Sequence, residues 1–167
     1  LRLSGTLGAE RSARLSTRVD GLVAKVLVDA GDEVAAGAPL LELDATLAQL
    51  ALARSRANRL ESEAALAEAE RLLEEGQRLS TDNHIPLSDL ATRRASVSLA
   101  EAALAAARAA EREQAEIVDR HVLPAPFAGV IVNKQTEAGE WIPRGTAVFD
   151  LVAVDRVRLD VQAPQER

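Results

Sequence analysis

Residues 21–43 read GLVAKVLVDAGDEVAAGAPLLEL, and residues 129–151 read GVIVNKQTEAGEWIPRGTAVFDL. The two segments align without a gap when Gly21 is matched to Gly129, and three glycines then stay in register. Glycine is favoured where a turn needs a positive φ, so the repeat predicts turns at matching positions of both segments. The turn glycines predicted in this way are Gly21, Gly31, Gly37, Gly129, Gly139 and Gly145.

Short apolar runs lie between these turns, which predicts short strands. Apolar character is kept at matching positions, such as Val34 and Ile142. One such unit of short strands cannot bury its own apolar face, whereas two units can bury a shared one. The repeat therefore predicts a pseudo-symmetric β-sandwich built from residues 16–43 and 124–152. The alternative is a pair of unrelated glycine-rich hairpins.

The segment between the two repeats, residues 44–123, predicts a long helical hairpin. Ala, Leu, Glu and Arg dominate it, and all four residue types favour helices. Its only glycine and proline after Ala45 are Gly76 and Pro86, and such residues interrupt helices. The two breakers place the tip of the hairpin at residues 76–88.

Both predicted helices carry small and apolar residues at alternating spacings of three and four, the pattern of a coiled-coil seam. Asp44 is a candidate N-cap for the first helix, and the second is expected to begin at Ser88 and end before Pro124. The seam predicted for the first helix is Leu50, Ala53, Ala57, Leu60, Ala64 and Ala67. The seam predicted for the second is Leu90, Val97, Ala100, Leu104, Ala107 and Val118. Two helices of matched length with a short connection predict an antiparallel pair.

Each end of the chain predicts one further strand, because apolar residues alternate there with polar or small ones. Leu3 and Leu7 show this pattern near the start, and Leu159 and Val161 show it near the end. We expect these strands, within residues 1–15 and 153–167, to pair and to begin a further β-domain. Most of that domain is expected to lie outside this chain.

The composition argues against several classes of function. The chain has 167 residues, a formal net charge of −6 and 2% aromatic residues, whereas nucleic-acid binding needs basic and stacking surfaces. It has no cysteine and only two histidines. No nucleophile–base spacing and no glycine-rich phosphate loop occurs. We therefore expect no catalytic residue, no cofactor and no metal site.

The repeat resembles the two halves of a biotinyl/lipoyl-type domain, with the pattern G-x-[VI] followed by G-[DE]-x-[VI]-x-x-G in each half. A helical hairpin between the halves is similar to the periplasmic adaptor proteins of tripartite efflux pumps, the membrane fusion or HlyD-like family. The segments APFAG at residues 125–129 and LSGT at residues 3–6 are typical of that family. The length of the helical arms resembles that of adaptors for RND-type pumps.

The resemblance implies a non-catalytic scaffold, anchored to the inner membrane, in the periplasm of Gram-negative bacteria. Such adaptors connect an inner-membrane transporter, here of the RND class, to a TolC-like outer-membrane channel for multidrug or metal export. They commonly form a ring of six subunits with the lipoyl-like domains side by side. A β-barrel domain and a membrane-proximal domain contact the transporter, so the terminal strands are expected to start that barrel. We expect the membrane anchor to lie outside this chain.

The hairpin tip is the candidate docking surface for the channel, because apolar side chains in a short loop have little to pack against. RND-type adaptors often carry an Arg-x3-Leu-x6-Ser pattern there. Leu79 and Ser88 resemble its last two members, but eight residues separate them, and Glu75 stands where the arginine would be. The alternative is local packing of the loop against the helices. The predicted docking residues are Arg78, Leu79, Ile85, Pro86, Leu87 and Ser88.

Two other functions stay open. One is a coiled-coil protein whose hairpin mediates self-association without transport. The other is a biotin or lipoate carrier with a helical insertion. A carrier presents a lysine at the turn between its half-motifs, but residues 45–123 contain no lysine. Lys25 and Lys134 instead fall within predicted strands.

Two further features receive a structural interpretation. Trp141, beside a glycine turn, is interpreted as a plug over the end of the sandwich. The charged residues of the hairpin are interpreted as solvated faces, and they include Arg54, Arg56, Arg59, Arg93, Arg94 and Glu111.

Overall fold

The computed structural model describes residues 4–9, 11–81, 86–154 and 157–162. Short strands flank two long helices in the chain. The elements are β1 (Ser4–Ala9), β2 (Ser12–Ser16), β3 (Gly21–Val26), β4 (Glu33–Val34), β5 (Pro39–Leu43), α1 (Thr46–Thr81), α2 (Leu87–Asp119), β6 (Val122–Pro124), β7 (Gly129–Lys134), β8 (Trp141–Ile142), β9 (Ala147–Val152) and β10 (Val157–Gln162). The chain divides into two compact units, residues 1–45 with 119–167, and residues 46–118.

The first unit contains two four-stranded sheets, in the orders β2-β9-β7-β4 and β6-β5-β3-β8. The short strand of each repeat pairs with the other repeat, because β4 pairs with β7 and β8 pairs with β3. Each repeat therefore completes the sheet of the other, which explains why neither could form a stable sheet alone. The predicted α+β fold class, a lipoyl-like sandwich of two half-motifs split by a helical hairpin, is confirmed.

Backbone hydrogen bonds repeat with the same offset that relates Gly21 to Gly129 in the sequence. The N–H of Gly31 donates to the Ile131 carbonyl at 2.7 Å, and the N–H of Gly139 donates to the Val23 carbonyl at 2.9 Å. In a second matched pair, the Gly37 N–H donates to the Ala125 carbonyl at 2.8 Å, and the Gly145 N–H donates to that of Thr17 at 2.9 Å. The two halves thus follow the same path and exchange the same bonds, which is the backbone signature of a pseudo-twofold axis.

The core of the sandwich lies between the two sheets. Its most buried side chains include Leu41 and Phe149, which occupy equivalent positions in the two repeats and are fully buried. The repeat also extends beyond the segment visible in the sequence, because Leu15 on β2 and Leu123 on β6 are equivalent and both belong to the core. The strand β2 is therefore part of the sandwich, which begins before residue 16, the first boundary predicted from the sequence.

The repeated glycines serve two different purposes. Gly31, Gly37, Gly139 and Gly145 have φ of +99°, +81°, +91° and +85°, the left-handed region that side chains with a Cβ adopt at a cost. Gly21 and Gly129 begin strands β3 and β7 and do not have a positive φ, so the prediction of turns at these two positions was wrong. At Gly129 the reason for glycine is space, because a Cβ would lie 2.9 Å from the Val152 carbonyl carbon.

The terminal strands β1 and β10 pair with each other in a separate antiparallel sheet. Leu7 lies opposite Leu159, and Gly5 lies opposite Val161. The predicted pairing of the two chain ends is therefore confirmed.

Candidate docking site on the helical hairpin

The hairpin is built from α1, with 36 residues, and α2, with 33 residues. The helix α1 begins at Thr46, two residues after the candidate N-cap Asp44. The helix α2 begins at Leu87, one residue before the predicted start, and Asp89 places a carboxylate in its first turn. The helix α1 continues to Thr81, so the first residues assigned by sequence to the tip, 76–81, are helical.

The seam predicted for α2 faces inward. Leu90 and Leu104 are buried, at 7% and 5% exposure. Val97, Ala100 and Ala107 follow the same stripe and are partly buried. Apolar side chains at these positions are the main apolar contribution of α2 to the hairpin.

The seam predicted for α1 was wrong. Leu50 and Leu60 are 63% and 57% exposed, and the four alanines of that stripe are exposed as well. The buried stripe instead includes Leu52, two residues beyond Leu50, at 8% exposure, and Arg59 is half-buried beside the exposed Leu60. The heptad spacing was correct, but alanine occurs on several faces of this helix and did not distinguish them. The inward face contains polar residues as well as apolar ones.

A cluster of charged side chains joins the two helices at the middle of the hairpin. Arg59 on α1 contacts Glu111 on α2, with 2.6 Å between Nε and Oε2. Arg59 also contacts Glu63 at 2.7 Å, and Arg108 on α2 contacts Glu63 at 3.2 Å. Arg56 adds a contact of 3.3 Å to Glu111. Arg56, Arg59 and Glu111, predicted to be simply solvated, therefore form an interhelical network, which holds the two helices in one register.

This network has a pH dependence that follows from Glu63. The hydrogen bond from Arg59, and then that from Arg108, lowers the pKa of the Glu63 carboxyl below its ordinary value of 4.5. A carboxyl with a lowered pKa stabilises the folded state above its unfolded pKa, and this contribution is lost as the pH falls through the folded pKa. The hairpin is therefore expected to be less stable at pH 3 than at pH 7.

We expect Glu63→Gln to reduce this pH dependence, because the glutamine amide does not change its protonation state between pH 3 and pH 7. Thermal unfolding followed by helical circular dichroism at pH 3 and pH 7 measures the difference. Glu61→Gln is the matched control, since Glu61 is exposed and outside the network. An equal pH dependence in the Glu63→Gln variant and the unsubstituted chain would contradict the role assigned to the network.

Nearer the tip, a glycine lets the two helices interlock. Gly76 lies inside α1 and is buried, and a Cβ there would come within 2.8 Å of Cδ of Arg93 on α2. The Arg93 side chain crosses this gap and donates from Nη1 to the Leu72 carbonyl at 2.5 Å. The sequence had indicated that Arg93 is a purely solvated charge. In the structure it instead makes a contact between the two helices. This packing explains why α1 passes through Gly76, at a helix cost of about 1 kcal/mol relative to alanine.

The residues predicted to dock with a channel lie around this end of the hairpin. Leu79 is 36% exposed on the last turn of α1, and Arg78 is exposed and within 3.6 Å of Glu74. Pro86 and Ser88 are exposed at the start of α2, and Leu87 begins that helix. Ile85 lies outside the described residues.

The two lysines that a carrier would need are both engaged within the sandwich. Nζ of Lys25 lies 3.4 Å from Glu42 on the neighbouring strand. Nζ of Lys134 lies 2.7 Å from Asp29 and 2.8 Å from Glu137, and these two partners raise the pKa of Lys134 above its ordinary value. A lysine held in its charged form between two carboxylates is poorly suited to acylation by biotin or lipoate.

Among the residues that the structure describes, no group of three or more histidine, aspartate or glutamate side chains could hold a metal ion. Neither α1 nor α2, as far as the structure describes them, is long and apolar enough to cross a membrane.

A sandwich of two interlocked half-motifs with a helical hairpin inserted between them defines a barrel-sandwich hybrid. Residues 11–153 match the CzcB-like, barrel-sandwich hybrid domain family, and the chain belongs to this family. The resemblance to membrane fusion proteins, the periplasmic adaptors, is thereby confirmed.

Relatives of known sequence are consistent with this assignment. The chain is 31% identical over 157 residues to the multidrug resistance protein MdtA of Cronobacter turicensis, and 30% identical to MdtA of Escherichia coli. Each alignment covers 94% of this chain and 38% of the relative. The chain therefore spans less than half the length of these relatives.

Solved structures share the fold at lower identity. The membrane fusion protein Spr0693 of Streptococcus pneumoniae superposes with a TM-score of 0.72 at 19% identity, covering 95% of this chain and 67% of that protein. ZneB of Cupriavidus metallidurans gives a TM-score of 0.62 at 17% identity, covering 92% and 66%.

Proposed function

We propose that this chain is the sandwich-and-hairpin part of a periplasmic adaptor that bridges an inner-membrane transporter to a TolC-like outer-membrane channel. In this role the protein is a scaffold and not an enzyme, it lies in the periplasm, and the whole protein is anchored to the inner membrane. Membership of the adaptor family and the long hairpin support the proposal. The single observation that carries it is a two-helix arm that ends in exposed polar and apolar side chains.

The transporter is proposed to be of the RND class, as the hairpin length suggested. The MdtA relatives are named for multidrug resistance. Drugs are therefore one candidate class of exported substrate, and metal ions, which the family resemblance also implies, are the other. The adaptor is not proposed to select between them.

The docking end of the hairpin is proposed to comprise Leu79 and Arg78 on α1, Pro86 and Ser88 near the start of α2, and the neighbouring Ile85 and Leu87. Leu79 supplies an apolar contact, and Arg78 supplies a charge whose present partner, Glu74, is equally solvent-exposed. An exposed ion pair is weak and can be exchanged for a partner's carboxylate at little cost.

The test uses the absence of cysteine in this chain. The full-length protein, with Leu79→Cys or Ile85→Cys, is labelled with a photo-crosslinker in cells, and captured proteins are identified by mass spectrometry. Capture of an outer-membrane channel is expected from these positions and not from Glu61→Cys, in the middle of α1. Capture of copies of the adaptor alone would contradict bridging and favour self-association.

We also expect Leu79→Asp to reduce capture of the channel by the crosslinker at position 85 by about tenfold or more. This corresponds to the loss of about 1.4 kcal/mol of binding free energy from an apolar contact that is buried in the complex. Resistance of the cells to exported compounds should fall with it. Leu47→Asp is the matched control, because Leu47 is 81% exposed at the opposite end of the same helix. Normal resistance in the Leu79→Asp variant would argue against docking at this residue.

Self-association of the hairpin has its own supporting observation and fits within the same proposal. Leu50 and Leu60 are exposed, together with alanines of the same stripe, at heptad spacing on α1. Small residues at this spacing favour close packing of another helix. We propose that this stripe contacts the hairpin of a neighbouring subunit in a ring, commonly of six subunits.

A further inference from the structure

An exposed aromatic side chain projects from one sheet of the sandwich. Trp141, the only tryptophan of the chain, is 65% exposed on β8, so its interpretation as a plug over the sandwich was wrong. Its cross-strand partner on β3 is Leu22, which is 41% exposed. We call these two side chains the Trp141 knob. Large apolar side chains that are paired and exposed indicate a contact surface more than a structural role.

The equivalent position in the other half of the sandwich is a depression. In the alignment of the two repeats, Trp141 corresponds to Glu33 and Leu22 corresponds to Val130, and these two are paired on β4 and β7. A shallow, mostly apolar depression of about 410 Å³ opens at this strand pair. We call it the Glu33 depression, and its lining residues are Glu33, Val34, Ala35, Ala128, Gly129 and Val154.

The depression exists because small side chains line it. Ala35 is equivalent to Pro143 in the other half, and Ala128 is equivalent to Asp20, so the smaller side chain stands on this side at both positions. Val154 is 59% exposed, so apolar surface is available there. Covering a tryptophan side chain removes about 150–250 Å² of surface from water, and a depression of this volume has room for an indole ring.

The unpaired charges beside the two surfaces are opposite, since the Glu140 carboxylate next to the knob already accepts hydrogen bonds from the Thr136 hydroxyl and the Glu137 N–H. Glu33 lines the depression and has no ion pair or side-chain hydrogen bond within the described part of the chain. Arg144 follows the knob in the Pro143–Thr146 turn and likewise has no such partner among the described residues. A carboxylate at one surface and a guanidinium at the other are complementary, so the occupant that this depression fits is the knob of a second copy.

The two surfaces cannot meet within one molecule, because β8 and β4 belong to opposite sheets. Contact between them is therefore heterologous, head to tail, and such contacts close into rings when the rotation allows. We propose that the Trp141 knob of one copy packs into the Glu33 depression of the next copy, with Arg144 facing Glu33. This inference rests on the proposed adaptor function and identifies the surface through which adjacent sandwiches associate.

The test uses two cysteine positions in the full-length protein, expressed in its own cells. Ala24→Cys lies beside the knob, two residues from Leu22 on the same strand, and Ala35→Cys lies in the depression. A short bis-maleimide crosslinker is expected to join the two variants when they are co-expressed, and to give a ladder of oligomers when one chain carries both. Neither variant alone should crosslink, because a head-to-tail contact never brings two identical positions together.

Trp141→Glu provides the matched variant, since glutamate is the residue at the equivalent position of the other half. It should reduce the crosslinked fraction by about tenfold or more, whereas Leu27→Glu, at an exposed leucine outside both surfaces, should not. Crosslinking of Ala24→Cys alone, or crosslinking that persists in Trp141→Glu, would overturn the inference.

The outcome is separable from that of the adaptor proposal. If the tip captures a channel but the cysteine pair does not crosslink, the adaptor function stands and the sandwich contact is refuted. If the cysteine pair crosslinks but the tip captures no channel, the sandwich contact stands and the bridging function is refuted.

Discussion

Replacing Gly129 with alanine is expected to destabilise the sandwich by about 3 kcal/mol, the upper end of the usual cost of overpacking. A Cβ at this position would overlap the Val152 carbonyl oxygen and lie 2.9 Å from its carbonyl carbon. Backbone atoms cannot rotate away as a flexible side chain can, so the pairing of β7 with β9 must shift. Thermal unfolding should show a midpoint lower by about 10 °C or more.

Gly21→Ala is the matched control, because Gly21 is the equivalent residue of the first repeat. The nearest atoms to a Cβ there belong to Leu43, at 3.6 Å, which is ordinary van der Waals contact. This variant should change the free energy of unfolding by less than about 1 kcal/mol. Equal losses of stability in the two variants would show that both glycines are required for one shared reason. That result would contradict the close approach to Val152 as the cause of the loss at Gly129.

Phe149→Ala is expected to lower the free energy of unfolding by about 3–5 kcal/mol, because it removes most of the largest fully buried side chain of the core. Phe149 lies on β9, which pairs with both β2 and β7, so the cavity would open beneath the central pairing of that sheet. Chemical denaturation, followed by a probe of the sandwich such as Trp141 emission, measures the loss.

Phe149→Leu separates the cavity from the change of residue type. Leucine stands at the equivalent position of the first repeat, Leu41, which is also fully buried. We expect this variant to lose clearly less than the alanine variant, because most of the volume is retained. A loss as large as that of Phe149→Ala would mean that the aromatic ring, and not its volume, is what the core requires.

Much of the fold could be predicted because the repeat encodes it twice. Three glycines in register and matched apolar positions such as Val34 and Ile142 constrain one another, since an error in one half would conflict with the other. The extension of the repeat to Leu15 and Leu123 was missed, although the same alignment relates them. The strands β2 and β6 that carry them lack a shared glycine, so the similarity there is visible only in their burial.

The candidate site could be predicted only in outline. The sequence placed a hairpin tip near Leu79 and Ser88, because Gly76 and Pro86 interrupt the helical pattern. It did not show that α1 passes through Gly76, since that depends on Arg93 packing across the gap from the other helix. Nor did it show that Arg59 and Glu111 face each other, because residues so far apart in the chain meet only when two helices adopt a particular register.

The sequence by itself determined the sandwich, its turns at Gly31 and Gly139, and the insertion of a helical hairpin. These features depend on local conformation and on periodicity, both of which are written in neighbouring residues. The tertiary structure alone decided which face of α1 is buried, why Gly129 must lack a side chain, and that Trp141 is exposed. Each of these depends on atoms that come from distant parts of the chain. A local pattern of residues does not show which distant residues will be in contact.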